Sequence, residues 1–104
     1  MQGMKVCRLD DIVPDTGVAA LVGEEQVAVF RVDQEIYAIG NRDPFSGANV
    51  LSRGIVGDLD GELVVASPVY KHHFSLVTGR CLEDATVSVP VYRALVDGTD
   101  VLVL

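Results

Sequence analysis

Apolar residues in this chain come in short runs, often with every second position polar, and the runs are cut by Gly, Asp, Asn and Pro. Val87, Val89 and Val91 alternate with Ser88 and Pro90, the period-two spacing of a strand. Pro90 within that run marks an edge or a bulge, because it has no N–H to give to a ladder. Val27 to Val32 and Glu35 to Ile39 flank Asp33-Gln34 as the arms of a tight hairpin do. Ile55 to Asp58 and Leu63 to Ala66 flank Leu59-Asp60-Gly61-Glu62, and Ala94 to Val96 and Val101 to Leu104 flank Asp97-Gly98-Thr99-Asp100. Nineteen valines and ten glycines, with almost no stretch of helical apolar spacing, add to the same reading. The expected fold is all-β: about ten short antiparallel strands forming a sandwich or small barrel. Asn41 to Arg53 breaks the pattern with Asn, Asp, Pro, Gly and Ser, and reads as a long functional loop with one helical turn at Asn49 to Ser52. Asp11 to Asp15, with Pro14, reads as a turn after the first strand.

Length sets the domain count. At 104 residues the chain is expected to be one domain, 1–104, able to bury its own core. The longest uninterrupted apolar run, Val18 to Val22, falls far short of the roughly 20 residues of a membrane span, so no membrane partner is expected. Met1 to Leu9 lacks a basic segment followed by an apolar one, so nothing marks export; Cys7 and Cys81 need not pair, and a cytoplasmic location is expected. A net charge of −7, with eight scattered Lys and Arg, excludes the phosphate-neutralising patch of a nucleic-acid binder. The acidity fits solubility, or a basic face on a protein partner.

The candidate chemistry lies in two loops. One is Asn41-Arg42-Asp43-Pro44; the other is Ser67-Pro68-Val69-Tyr70, which runs through Lys71, His72 and His73 to Phe74 and Thr78-Gly79-Arg80. Pro68, Phe74, Thr78 and Gly79 keep the spacing of the pattern Cys-Pro-x-His-x-x-x-Phe-x-x-x-Thr-Gly. On those residues the chain resembles the Rieske-like domain family over nearly its whole length. More narrowly it is similar to the small subunits of assimilatory NAD(P)H-dependent nitrite reductase, on Gly40 to Phe45, Val50 to Gly54, Gly61 to Pro68 and Thr78 to Asp84.

The resemblance places the four cluster-ligand positions of a Rieske centre at Asn41, Asp43, Ser67 and Tyr70. Such a centre needs two thiolates on one iron and two imidazoles on the other. Amide, hydroxyl and carboxylate oxygens are hard donors with little claim on it, so this chain is expected to hold no cluster and no cofactor. His72 and His73, as neighbours on an extended segment, point to opposite faces and do not readily share one ion, even with Cys81 nearby. Asn41, Asp43, Ser67 and Tyr70 are instead expected to tie the loops together by hydrogen bonds, with Phe74 packed beneath, Gly79 at a positive-φ turn and Thr78 making a local hydrogen bond. Gly54 to Gly57 is not a phosphate loop, since no helix follows, and Asp58, Asp60 and Glu62 fit a hairpin turn better than a calcium loop.

The resemblance implies a large partner subunit carrying FAD, an iron–sulfur cluster and sirohaem, which reduces nitrite to ammonium. This chain would support that activity without owning an active site. The expected interface is Arg42, Asp43, Pro44, Phe45, Arg53, Pro68, Tyr70, Lys71, His72 and His73. The competing readings are an independent Rieske-type ferredoxin electron carrier, which the missing ligands oppose, and a Rieske-fold interaction module with another partner.

Overall fold

The structure, a computed structural model, describes residues 3–104. It has ten strands: β1 (Met4–Arg8), β2 (Thr16–Val22), β3 (Glu25–Val32), β4 (Glu35–Gly40), β5 (Ile55–Leu59), β6 (Glu62–Ala66), β7 (His73–Ser75), β8 (Val91–Tyr92), β9 (Ala94–Asp97) and β10 (Asp100–Val103). Short 3₁₀ turns lie at Leu9–Asp11 and Leu51–Arg53. All pairings are antiparallel and fall into three small sheets, ordered β1-β10-β9, β2-β3-β4-β8 and β5-β6-β7.

The central sheet explains why Val27 to Phe30 is apolar at every position. Successive side chains on a strand point to opposite faces, and here both faces are covered. Ala28 and Phe30 join Ile39, Leu51, Val65, Phe74, Leu76, Cys81 and Val89 in one core against β5-β6-β7. Val27 and Val29 join Ile12, Ile36, Ala38, Val101 and Val103 in a second core against β1-β10-β9. The all-β expectation stands, and the architecture is a middle sheet with a small sheet on each side.

The hairpins fall where the turn residues put them. Asp33 (φ 54°) closes β3-β4, and Asp60 (φ 53°) with Gly61 (φ 86°) closes β5-β6 as a two-residue turn with both residues left-handed. Asp58 Oδ1 accepts the Gly61 N–H at 2.8 Å, so that carboxylate serves the turn. The alternating run at Val87 to Val91 is not one strand. Cys81 N–H donates to Val87 O and Val89 N–H to Gly79 O; after Pro90, Val91–Tyr92 pairs with β4 as β8. Pro90, with no N–H, sits where the chain changes partners, and its carbonyl accepts from Gly40 at 2.9 Å.

Gly79 is the tightest point of this crossing. Its φ is 77°, and a Cβ there would lie 2.2 Å from the Val89 carbonyl oxygen, whereas a Cβ at Gly61 (φ 86°) would meet nothing within 4 Å. Gly61→Ala therefore costs only the left-handed conformation, about 1 kcal/mol. Gly79→Ala adds a backbone clash and costs about 3 kcal/mol or more. Urea unfolding followed by circular dichroism separates the two; equal midpoints would contradict the close approach.

Candidate functional site: two clasped loops

The two loops leave the ends of neighbouring sheets, the first after β4 and the second after β6. Asn41 starts the first. Its backbone N–H donates to Gln26 O, and its carbonyl accepts from Leu51 N–H at 3.0 Å. Its buried side chain accepts from Ser52 N–H at 2.8 Å through Oδ1 and donates through Nδ2 to Asn49 O at 3.3 Å. These four contacts tie the loop's start to β3, to Asn49 within the same loop and to the Leu51–Arg53 turn; none reaches the second loop.

Asp43 makes the connection. It is fully buried, at 0% exposure. Oδ1 accepts from the N–H groups of Phe45 (2.8 Å) and Ser46 (3.4 Å), which is a local turn of the kind aspartate forms. Oδ2 accepts from the buried hydroxyl of Ser67 at 2.5 Å, across to the other loop. Ser67 Oγ also accepts from Val69 N–H at 3.3 Å, while Ser67 N–H donates to His72 O and Ser67 O accepts from Lys71, closing the second loop on itself. A stack of Phe45 on His72, with ring centroids 3.8 Å apart and planes 11° from parallel, forms a second bridge above Phe74.

Two of the four ligand-position residues thus span the loops. Asn41 works within its own loop, and Tyr70 is 60% exposed. Among the expected interface residues, Arg42, Pro44, Arg53, Pro68, Tyr70 and Lys71 are exposed, and Phe45, His72 and His73 are half-buried. Asp43 must be removed from that surface: its carboxylate is turned inward, consumed by Ser67 and the Phe45 and Ser46 amides.

His72 and His73 diverge as adjacent residues on extended backbone do. His73 N–H donates to Glu83 Oε1 at 2.8 Å, its ring Nδ1 lies 2.6 Å from Glu83 Oε2, and Cys81 Sγ approaches Glu83 Oε1 at 3.6 Å. Burial works to raise the Glu83 pKa, but the hydrogen bonds from the His73 N–H and ring, and the ring's charge, outweigh it and hold the carboxyl below its ordinary value. Burial pushes the Cys81 thiol up, toward a neutral packing group. Glu83 was not singled out in the sequence: an acid ten residues from His73 has no local spacing to mark it, and the contact exists only because the chain doubles back after Gly79. Among the described residues no group of three or more His, Cys, Asp and Glu is placed to hold a metal.

The donors do not fit a Rieske cluster. No thiolate is present at any of the four positions, and Asp43 and Ser67 satisfy each other directly where two ligands would have to stand apart around iron. Beside the first loop runs an open cleft of about 440 Å3 whose walls include Glu24, Glu25, Arg42, Pro44 and Tyr92.

The clasp has a measurable energy. Ser67→Ala leaves one oxygen of a buried carboxylate without its donor, which costs about 1–3 kcal/mol. Asp43→Ala loses the same bond and two backbone contacts. In a double-mutant cycle the two substitutions couple by about 1 kcal/mol or more in urea unfolding; strictly additive losses would mean the loops are not held through this bond.

A family model of the Rieske-like [2Fe-2S] domain matches residues 2–104. The small subunit of NADH nitrite reductase from Escherichia coli is 50% identical over 97 residues, covering 91% of this chain and 90% of that one. The solution structure of the NAD(P)H nitrite reductase small subunit from Erwinia carotovora superposes with a TM-score of 0.84 at 52% identity, covering 98% of this chain and 80% of that one. A large subunit of NAD(P)H nitrite reductase from Klebsiella oxytoca contains a segment 41% identical over 98 residues, covering 94% of this chain but 10% of that one. The chain belongs to the Rieske-like [2Fe-2S] domain family and, within it, stands with the small subunits of nitrite reductase.

Proposed function

We propose that this chain is the cofactor-free small subunit of an NAD(P)H nitrite reductase, and that it supports the reduction of nitrite to ammonium by a large subunit carrying FAD, an iron–sulfur cluster and sirohaem. The observation that carries this reading is the match to the Klebsiella oxytoca large subunit: the same domain is found within a single polypeptide with the rest of that subunit. A domain that works as a covalent part of one large chain is suited to work as a separate chain bound to another, with affinity replacing the linker's effective concentration.

No thiolate or imidazole stands at the four ligand positions, so the contribution assigned to this chain is binding. A subunit of this kind changes its partner by binding one arrangement of it more tightly than the others. The proposed contact surface is the tip of the two clasped loops: Arg42, Pro44, Phe45, Arg53, Pro68, Tyr70, Lys71, His72 and His73. Asp43 and Ser67 hold that surface in shape from below. The position of the chain ends supports this choice. β1 and β10 pair with each other in the sheet lying across the central sheet from β5-β6-β7, which bears the second loop. A linker attached at either end would leave the tip free to reach the large chain. An independent electron carrier would need thiolates and imidazoles at the four ligand positions, and none is there.

The test is reconstitution. Added to the large subunit prepared without it, this chain is expected to co-elute in size-exclusion chromatography and to raise NAD(P)H-dependent nitrite reduction. Tyr70→Ala, which removes a large exposed aromatic from the centre of the tip, is expected to weaken the complex by about tenfold or more while leaving the circular dichroism spectrum unchanged. A large subunit that neither binds the chain nor responds to it would overturn the reading.

A further inference from the structure

The chain is acidic as a whole, which taken alone would suit a basic partner. The distribution of charge says otherwise. From Ile36 to Gly57 and from Leu63 to Leu82 the only acidic residue is Asp43, and it is buried and hydrogen-bonded. Arg42, Arg53 and Lys71 are all exposed and stand in the two loops or on the turn that Asn41 anchors to them. Outside residues 41–53 and 67–73 the chain has fourteen acidic residues against five basic ones. The two loops and the turn beside them therefore carry exposed positive charge, with exposed apolar surface at Val69 (43%) and Tyr70 (60%), on an otherwise strongly negative chain.

We propose that the tip docks on an acidic surface of the large subunit. This rests on the reading above and names the chemistry of the partner face. Arg42, Arg53 and Lys71 would meet carboxylates at the rim, and Val69 and Tyr70 would fill an apolar centre, the usual division between polar rim and buried core. The body's charge does not forbid the approach. The molecule is 36 Å along its longest axis, against a Debye length of about 8 Å at physiological ionic strength, so charges far from the contact are screened and those at the tip are not. Acids that do border the tip give it direction. Glu24 and Glu25 line the same cleft as Arg42, and Glu83 lies beside His73, so an acidic partner is drawn to the tip and repelled from its flanks.

The experiment is the association rate of this chain with immobilised large subunit over a range of sodium chloride. The rate is expected to fall about tenfold or more from low to high salt. The pair Arg42→Glu and Lys71→Glu is expected to slow association at least tenfold at low salt and to flatten the salt dependence. The pair Lys5→Glu, on β1, and Arg93→Glu, immediately before β9, makes the same change in net charge away from the two loops and is expected to leave the rate within twofold. Circular dichroism checks that both variants fold. Equal effects of the two pairs, or a rate indifferent to salt in wild type, would overturn the acidic-surface inference while leaving the subunit reading intact. Failure of the wild-type chain to bind at all would overturn both.

Discussion

The hydrogen bond from Ser67 to Asp43 is the constraint on which the arrangement of the two loops depends. It joins two loops that leave different sheets, and it does so with buried groups whose remaining valences are taken by the loops' own backbone. In a metal-bearing relative of this fold the cluster's bonds would supply the energy that orders such loops. Here the ordering comes from a carboxylate, a hydroxyl and a stacked Phe45–His72 pair. The hydrogen-bond partners are far apart in sequence, but the bond is inexpensive to assemble, because each partner is already placed by a turn: Asp43 by the amides of Phe45 and Ser46, Ser67 by the closed loop to His72.

That placement is inherited from the central sheet. β3 and β4 are buried on both faces, and the end of β4 delivers Asn41 to a point where its side chain and backbone are both engaged. Leu51, in the 3₁₀ turn that Asn41 anchors, belongs to the same core as Phe74 beneath the second loop. Substitutions in this core would thus be felt at the tip, while changes to exposed tip residues leave the core alone. The separation suits a docking element: the surface can vary its side chains without losing the shape that presents them.

Much of this was legible in the sequence, and the residues show why. The hairpins were marked by Asp33, Asp60-Gly61 and Gly98, whose turn chemistry is local. The Rieske-like spacing of Pro68, Phe74, Thr78 and Gly79 located the second loop and its support. Less legible was anything set by three-dimensional closure. Val27 to Phe30 is apolar throughout because two sheets cover it, and a single run does not say which residues face which core. The alternation at Val87 to Val91 looked like one strand, yet its pairing changes at Pro90. The position of Asp43 in its loop suits both a bridge and a surface contact; burial allows only the first. Glu83 carries no local pattern, since its contact with His73 depends on the reversal through Gly79.

The central claim is that the clasped tip is the face this chain offers to the large subunit. Amide hydrogen exchange on the chain alone and in complex with that subunit tests it most directly. New protection is expected only in peptides spanning residues 42–46 and 69–73, with the terminal sheet of β1, β9 and β10 unchanged. Protection on the terminal sheet or on the β5 edge, with the two loops exchanging as in the free chain, would contradict it.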